Sequence, residues 1–152
     1  MTPPYTEFSP DVYRLSKDLS ERGLSVGQSF DATEQDELVF DKLGARVWGR
    51  LCYFRRYYSA DWGERGNRPL SPRAIGIFCR FLEHATFPAN LKPSLFLTSD
   101  GTLELCFEDK NGKAVEFEFT PSEVRFFLES DGDEGADSPS GAAEITKRLA
   151  TT

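Results

Sequence analysis

Hydrophobic and polar residues alternate with a period of two between Pro93 and Phe119, PSLFLTSDGTLELCFEDKNGKAVEFEF. From Thr102 to Glu108, Leu103, Leu105 and Phe107 fall on one side, and Glu104, Cys106 and Glu108 on the other. From Lys113 to Phe119, Val115, Phe117 and Phe119 oppose Glu116 and Glu118. Period-two patterning bounded by turn residues predicts strands. The turns are Ser99-Asp100-Gly101 and Lys110-Asn111-Gly112.

The pattern also predicts the register. A two-residue turn at Asn111-Gly112 would set Phe107 opposite Glu116, an apolar residue beside a charge. A three-residue loop with glycine in the left-handed position pairs Phe107 with Val115, Leu105 with Phe117 and Leu103 with Phe119. The same loop at Gly101 pairs Leu97 with Leu103 and Leu95 with Leu105. One continuous apolar face results. The opposite face carries Phe96, Glu104, Cys106, Glu108, Glu116 and Glu118, with Glu104 directly across from Glu118, an unfavourable like-charge pair unless a cation is near.

Upstream, the period changes to that of helices. Ser9-Pro10-Asp11 reads as an N-cap, a first-turn proline and an acidic first turn, followed by Val12, Leu15 and Leu19 on one face and Gly23 as a stop. Val39, Leu43, Val47, Leu51, Phe54 and Tyr58 step by three or four behind the candidate caps Asp31 and Thr33, and Gly44 and Gly49 predict a bend or a division. Asp61 to Pro69 is a loop. Ser71-Pro72 opens another helix, with Ile75, Phe78, Cys79 and Leu82 inward, ending near Ala85.

Downstream, Thr120-Pro121-Ser122-Glu123 reads either as a capping box or as a turn. The alternation from Val124 to Glu129 favours a fourth strand, with Arg125 on the acidic face. Residues 130–141 are rich in Asp, Gly and Ser and read as disordered, and Ala142 to Ala150 as a short frayed helix. The expectation is one α+β domain over 1–129, with 1–92 helical and 93–129 an antiparallel sheet. Three helical segments pack on one face of a four-stranded antiparallel β-meander, and 130–152 form an acidic flexible tail.

Composition adds partners and compartment. The chain has 152 residues, enough for a real core, with 13 Phe and a single Met. Net charge is −7 and unevenly spread: residues 1–92 hold thirteen Lys/Arg against twelve Asp/Glu, and 93–152 hold five against thirteen. Residues 43–80 concentrate eight Arg against Asp61 and Glu64. No apolar run reaches membrane-spanning length, and the N-terminus lacks the pattern of a secretory signal, so no membrane association is expected. Cys52, Cys79 and Cys106 are odd in number and widely spaced, which predicts free thiols in a reducing cytoplasm.

The pattern of Trp62-Gly63, Gly66, Pro69-Leu70-Ser71-Pro72, Pro93 and Thr98-Ser99-Asp100-Gly101 resembles a broad class of small uncharacterised bacterial and phage proteins. These carry a Trp-Gly loop, a Ser-Pro-initiated helix and a Pro…Thr-x-Asp-Gly β-hairpin. The likeness covers roughly residues 60–129, and Cys106-Phe107 stands where Glu-Trp is common in that class. It implies an α+β fold and, for some members, defence, mobile-element or toxin–antitoxin-like loci. It implies no activity, and the shared residues look structural.

Catalytic and cofactor signals are weak. His84 is the single histidine, at a helix C-terminus where its cation suits the helix dipole; a Cys79 or Cys106 nucleophile would need it as base. Counted from Asp131, the sixth and twelfth positions of an EF-hand would be Ala136 and Ala142 rather than Gly and Glu. No nucleotide-loop, hydrolase or zinc pattern occurs, so no cofactor or metal is expected. What remains is a surface argument. Arg46, Arg50, Tyr53, Arg55, Arg56, Tyr57, Trp62, Arg65 and Arg68, with the strand residues Glu104, Glu116 and Glu118, are the candidate partner-binding residues. They suit one protein partner, in a non-enzymatic accessory, inhibitor or antitoxin-like role, with the oligomeric state open and a small homo-oligomer compatible. The alternative is nucleic-acid binding by the Arg/Tyr surface. A bland third option is that the Arg block pairs internally with the acidic sheet face.

Overall fold

A computed structural model describes residues 32–151. The expected first helix, from Ser9 to Gly23, lies outside the described residues. The described chain runs α1 (Ala32–Tyr57), α2 (Pro72–His84), β1 (Ser94–Leu97), β2 (Leu103–Glu108), β3 (Ala114–Phe119), β4 (Val124–Leu128), β5 (Asp133–Asp137) and α3 (Pro139–Thr151). The strands form one antiparallel sheet in sequence order. The fold is α+β, with five strands where four were expected.

The register is the one that keeps apolar residues together. Leu95 pairs with Leu105, Leu97 with Leu103, Leu103 with Phe119, Leu105 with Phe117 and Phe107 with Val115. Gly101 and Gly112 take φ of 82° and 75°, the left-handed positions of the two loops. The Asp109 N–H donates to the Lys113 carbonyl at 2.8 Å and closes the second loop. Asp109 Oδ1 also accepts from the Asn111 and Lys113 amides. β4 continues the alternation, burying Val124 and Leu128.

The inner face of the sheet meets the helices through rings. Phe78 and Phe81 of α2 lie 4.7 to 5.0 Å, centroid to centroid, from Phe117 and Phe119. All four are fully buried, and each such side chain contributes about 1.5–3 kcal/mol by leaving water. Ser71 caps α2 by accepting from the Ala74 amide at 3.3 Å, with Pro72 in the first turn.

α1 breaks at Gly44, where φ is 90° and ψ is 175°. Arg55 Nη1 lies 2.7 Å from Asp36 Oδ1, nineteen positions away. An unbroken helix would separate them by roughly 28 Å, so the chain folds back at Gly44 and α1 is a helical hairpin. Phe40 and Trp48 close it with an edge-on ring contact at 5.7 Å.

Where a flexible tail was expected over 130–152, the described residues up to Thr151 form a strand and a helix. β5 pairs with β4 along its whole length, and α3 spans thirteen residues. Two local features explain the correction. Gly135 sits opposite Phe126, and a side chain there would press on that ring. Ser138-Pro139 repeats the cap-plus-proline device: Ser138 Oγ accepts from the Gly141 amide and the Ser138 carbonyl from Ala142. α3 then buries Ala142, Ala143 and Thr146, and Thr146 Oγ1 accepts from the Thr86 amide at 2.9 Å. Asp, Gly and Ser content reflects an edge strand with every side chain exposed, not disorder.

Both sheet edges are protected. The hydrogen-bonded Thr98–Thr102 pair places the Leu95 backbone on the free side of β1. There Arg50 Nε donates to the Leu95 carbonyl at 3.2 Å. At the other edge, Asp133, Glu134 and Asp137 of β5 discourage further pairing by charge.

Candidate interaction surfaces

The Arg/aromatic block does not form one surface of uniform purpose. Arg50 reaches the β1 edge, and its guanidinium lies 4.7 Å from the Phe54 ring centroid. Arg55 binds Asp36 and, through Nη2, Gln35 at 3.0 Å. These two hold the architecture together. Tyr53 contacts Tyr57 and Tyr58 at 5.3 Å each, and Tyr58 stacks on Trp62 at 4.8 Å and 27°. Arg56 lies 5.7 Å over Tyr57. The rings form a half-buried ladder. Arg46, Arg65 and Arg68 are exposed, and none forms an ion pair among the described residues.

The loop after α1 is rigidly tied to the sheet. Asp61, at φ 64°, accepts from the Gly66 amide at 2.8 Å, and Asn67 Nδ2 donates to the Trp62 carbonyl. Trp62 Nε1 donates to the Arg68 carbonyl. The Arg68 amide donates to Ser99 O and the Ser71 amide to Gly101 O, both at 2.9 Å. A side chain at Gly101 would collide with the Pro69 carbonyl. Trp62, Gly66, Pro69, Ser71 and Gly101 therefore sit in one turn-against-turn unit that fixes α2 against the first hairpin. Their roles there are structural.

The outer sheet face is the counterpart. One row across it reads Phe96, Glu104, Glu118, Arg125 and Ala136, and the next reads Ser94, Cys106, Glu116, Phe127 and Glu134. Phe96 is 46% and Phe127 36% exposed, the two exposed large apolar residues of the described chain. Thr102 Oγ1 donates to Glu118 Oε2 at 2.7 Å, and the Cys106 thiol donates to Glu104 Oε1 at 3.4 Å. Arg125 lies 3.7 Å from Glu118 and 3.5 Å from Glu123. At 61% exposure that pairing is worth about 0–1 kcal/mol. No Lys or Arg of the described residues forms an ion pair with Glu104 or Glu116. Among the described residues, the Arg block of 43–80 forms no ion pair with the sheet carboxylates.

Cys52 and Cys79 are buried and Cys106 is half-buried. Burial pushes Cys52, Cys79 and Cys106 up to about 12, Cys106 with added repulsion from Glu104 and Glu116. A thiol holding its proton is a poor nucleophile. His84 is exposed at the end of α2, while Cys79 is fully buried. Glu104, Cys106 and Glu116 bring three donor atoms within 4.8 Å of one another. A metal there would find two hard carboxylates and a thiol that keeps its proton.

A half-open groove of about 840 Å³ lies where β1 stops short of β2, lined by Phe87, Leu91, Lys92, Phe107, Lys110 and Leu149 among others. The pattern of the chain does not reveal it, because it depends on how residues 86–92 and α3 converge. Phe96 and Phe127 did leave a signal: each is an apolar residue on the polar side of an alternating strand.

Comparison with family models, with curated proteins and with solved structures finds no match for this chain. No helix among the described residues is long and apolar enough to cross a membrane.

Proposed function

We propose that this protein is an interaction module that engages one protein partner through the outer face of its sheet, in an accessory or inhibitory role. The observation that carries the reading is the pair Phe96 and Phe127, exposed among the described residues on either side of Glu104, Glu116 and Glu118. Exposed aromatic residues are enriched in protein interfaces, and charged groups around them set which partner is accepted. The test is affinity capture from native cells. A stoichiometric partner is expected with the unaltered chain, lost with Phe96→Ser/Phe127→Ser and retained with Arg46→Ala/Arg65→Ala. Equal recovery with the sheet variant refutes the reading.

A second reading, nucleic-acid binding, is favoured by the Tyr53–Tyr58–Trp62 ladder beside the exposed Arg65 and Arg68. It predicts binding to single strands that weakens steeply with salt and drops in Arg65→Ala/Arg68→Ala. An absence of binding at low salt removes it.

A further inference from the structure

We infer that the segment received by this sheet face is basic: a Lys- or Arg-bearing stretch of another protein, its cation set between Glu104 and Glu116 and its apolar residues resting on Phe96 and Phe127. This inference rests on the docking reading above and names the chemistry of its partner.

Charge and spacing carry it. Glu104 and Glu118 face each other directly across β2 and β3, and Glu116 lies one row away. Carboxylate oxygens of Glu104 and Glu116 come within 4.8 Å, a gap that one guanidinium bridges with two N–H edges. Arg125 pairs with Glu118 and Glu123, and among the described residues no Lys or Arg forms an ion pair with Glu104 or Glu116. Phe96 on β1 and Phe127 on β4 stand three strands and one row apart, roughly 16 Å on ordinary sheet spacings. About five residues of extended chain cover that span. The Glu residues lie on the diagonal between the rings, so such a segment meets aromatic, acid and aromatic in turn. Nucleic acid is repelled by this face. A metal ion would use the carboxylates and leave both rings without a role.

The test uses the full chain and short labelled peptides alternating Arg with Leu or Glu with Leu, read by fluorescence anisotropy. The Arg–Leu peptide binds and the Glu–Leu peptide does not. Glu104→Gln/Glu116→Gln weakens binding by about tenfold. Phe96→Ser/Phe127→Ser weakens it comparably, and Glu83→Gln/Glu144→Gln, exposed acids on the helices, changes it by less than about twofold. Thermal melts of each variant confirm that it is folded. An equal loss in the helix variant means unspecific charge attraction and overturns the inference. So does zinc or calcium binding that disappears in Glu104→Gln/Glu116→Gln, or a dimer of the unaltered chain that the same substitution dissolves. If Phe96→Ser/Phe127→Ser abolishes capture of the native partner but the Arg–Leu peptide fails to compete with it, the basic class is wrong and the docking face stands. If the capture is unaffected as well, both fail.

Discussion

The two faces of the sheet are built from the same strands and obey opposite rules. The inner face carries Leu95, Leu103, Leu105, Val115, Phe117 and Phe119, all almost fully buried under α1 and α2. The outer face carries Phe96, Glu104, Cys106, Glu116, Glu118 and Phe127, none fully buried. Since successive side chains alternate, a choice of register for one face sets the other. Stability selects the inner residues. It does not select two exposed rings beside a like-charge pair, which cost solubility and repulsion. The difference separates what folds the chain from what the chain offers to a partner.

Substitutions should respect that separation, and the largest effect tests how far the inner layer extends. Ending the chain at Asp137 removes α3 and uncovers the core surface that Ala142, Ala143 and Thr146 close. A loss on the order of 5 kcal/mol is expected in urea unfolding; an unchanged midpoint would return these residues to the status of a tail. Next, Phe117→Ala should cost about 3–5 kcal/mol, because the ring is fully buried against Phe81. Gly101→Ala combines a left-handed backbone with a collision at the Pro69 carbonyl and should cost about 2–3 kcal/mol. Gly112→Ala, left-handed but in open space, should cost about 1 kcal/mol. Smallest of all, Phe96→Ser and Phe127→Ser should each shift stability by less than about 0.5 kcal/mol. A large loss from either would make the outer face structural and break the comparison.

The thiols supply a pH test of the same division. Each is raised from 9.0 to about 12 in the folded state, chiefly by burial. The folded chain therefore binds these protons more tightly than the unfolded one. The stabilisation is complete below pH 9 and is lost as pH rises towards 12. The unfolding midpoint of Cys79→Ala should fall less steeply over that range than that of the unaltered chain.

Register was legible in the sequence because only one pairing of β1, β2 and β3 keeps Leu opposite Leu and Phe opposite Val or Leu. The break in α1 was legible at Gly44, and the strand choice after Pro121 followed from Val124, Phe126 and Leu128. β5 was not legible: its five side chains are all exposed, so no apolar alternation marks it, and its position depends on the free edge of β4. α3 did carry a signal, the Ser138-Pro139 pair that matches Ser71-Pro72, but acidic composition outweighed it. At the candidate site, alternation placed Glu104, Glu116 and Glu118 on one face. It could not tell whether the Arg block would cover them, since that depends on how the helical layer docks. Arg50 and Arg55 turned out to be bound within the fold, to Leu95 and to Asp36.

The most direct measurement is competition at the outer face. With the native partner bound, the Arg–Leu peptide should displace it from the unaltered chain, while Phe96→Ser/Phe127→Ser, still folded with an unchanged melting profile, should lose the partner and bind the peptide about tenfold more weakly. A folded Phe96→Ser/Phe127→Ser variant that holds the partner as tightly as the unaltered chain would contradict the account.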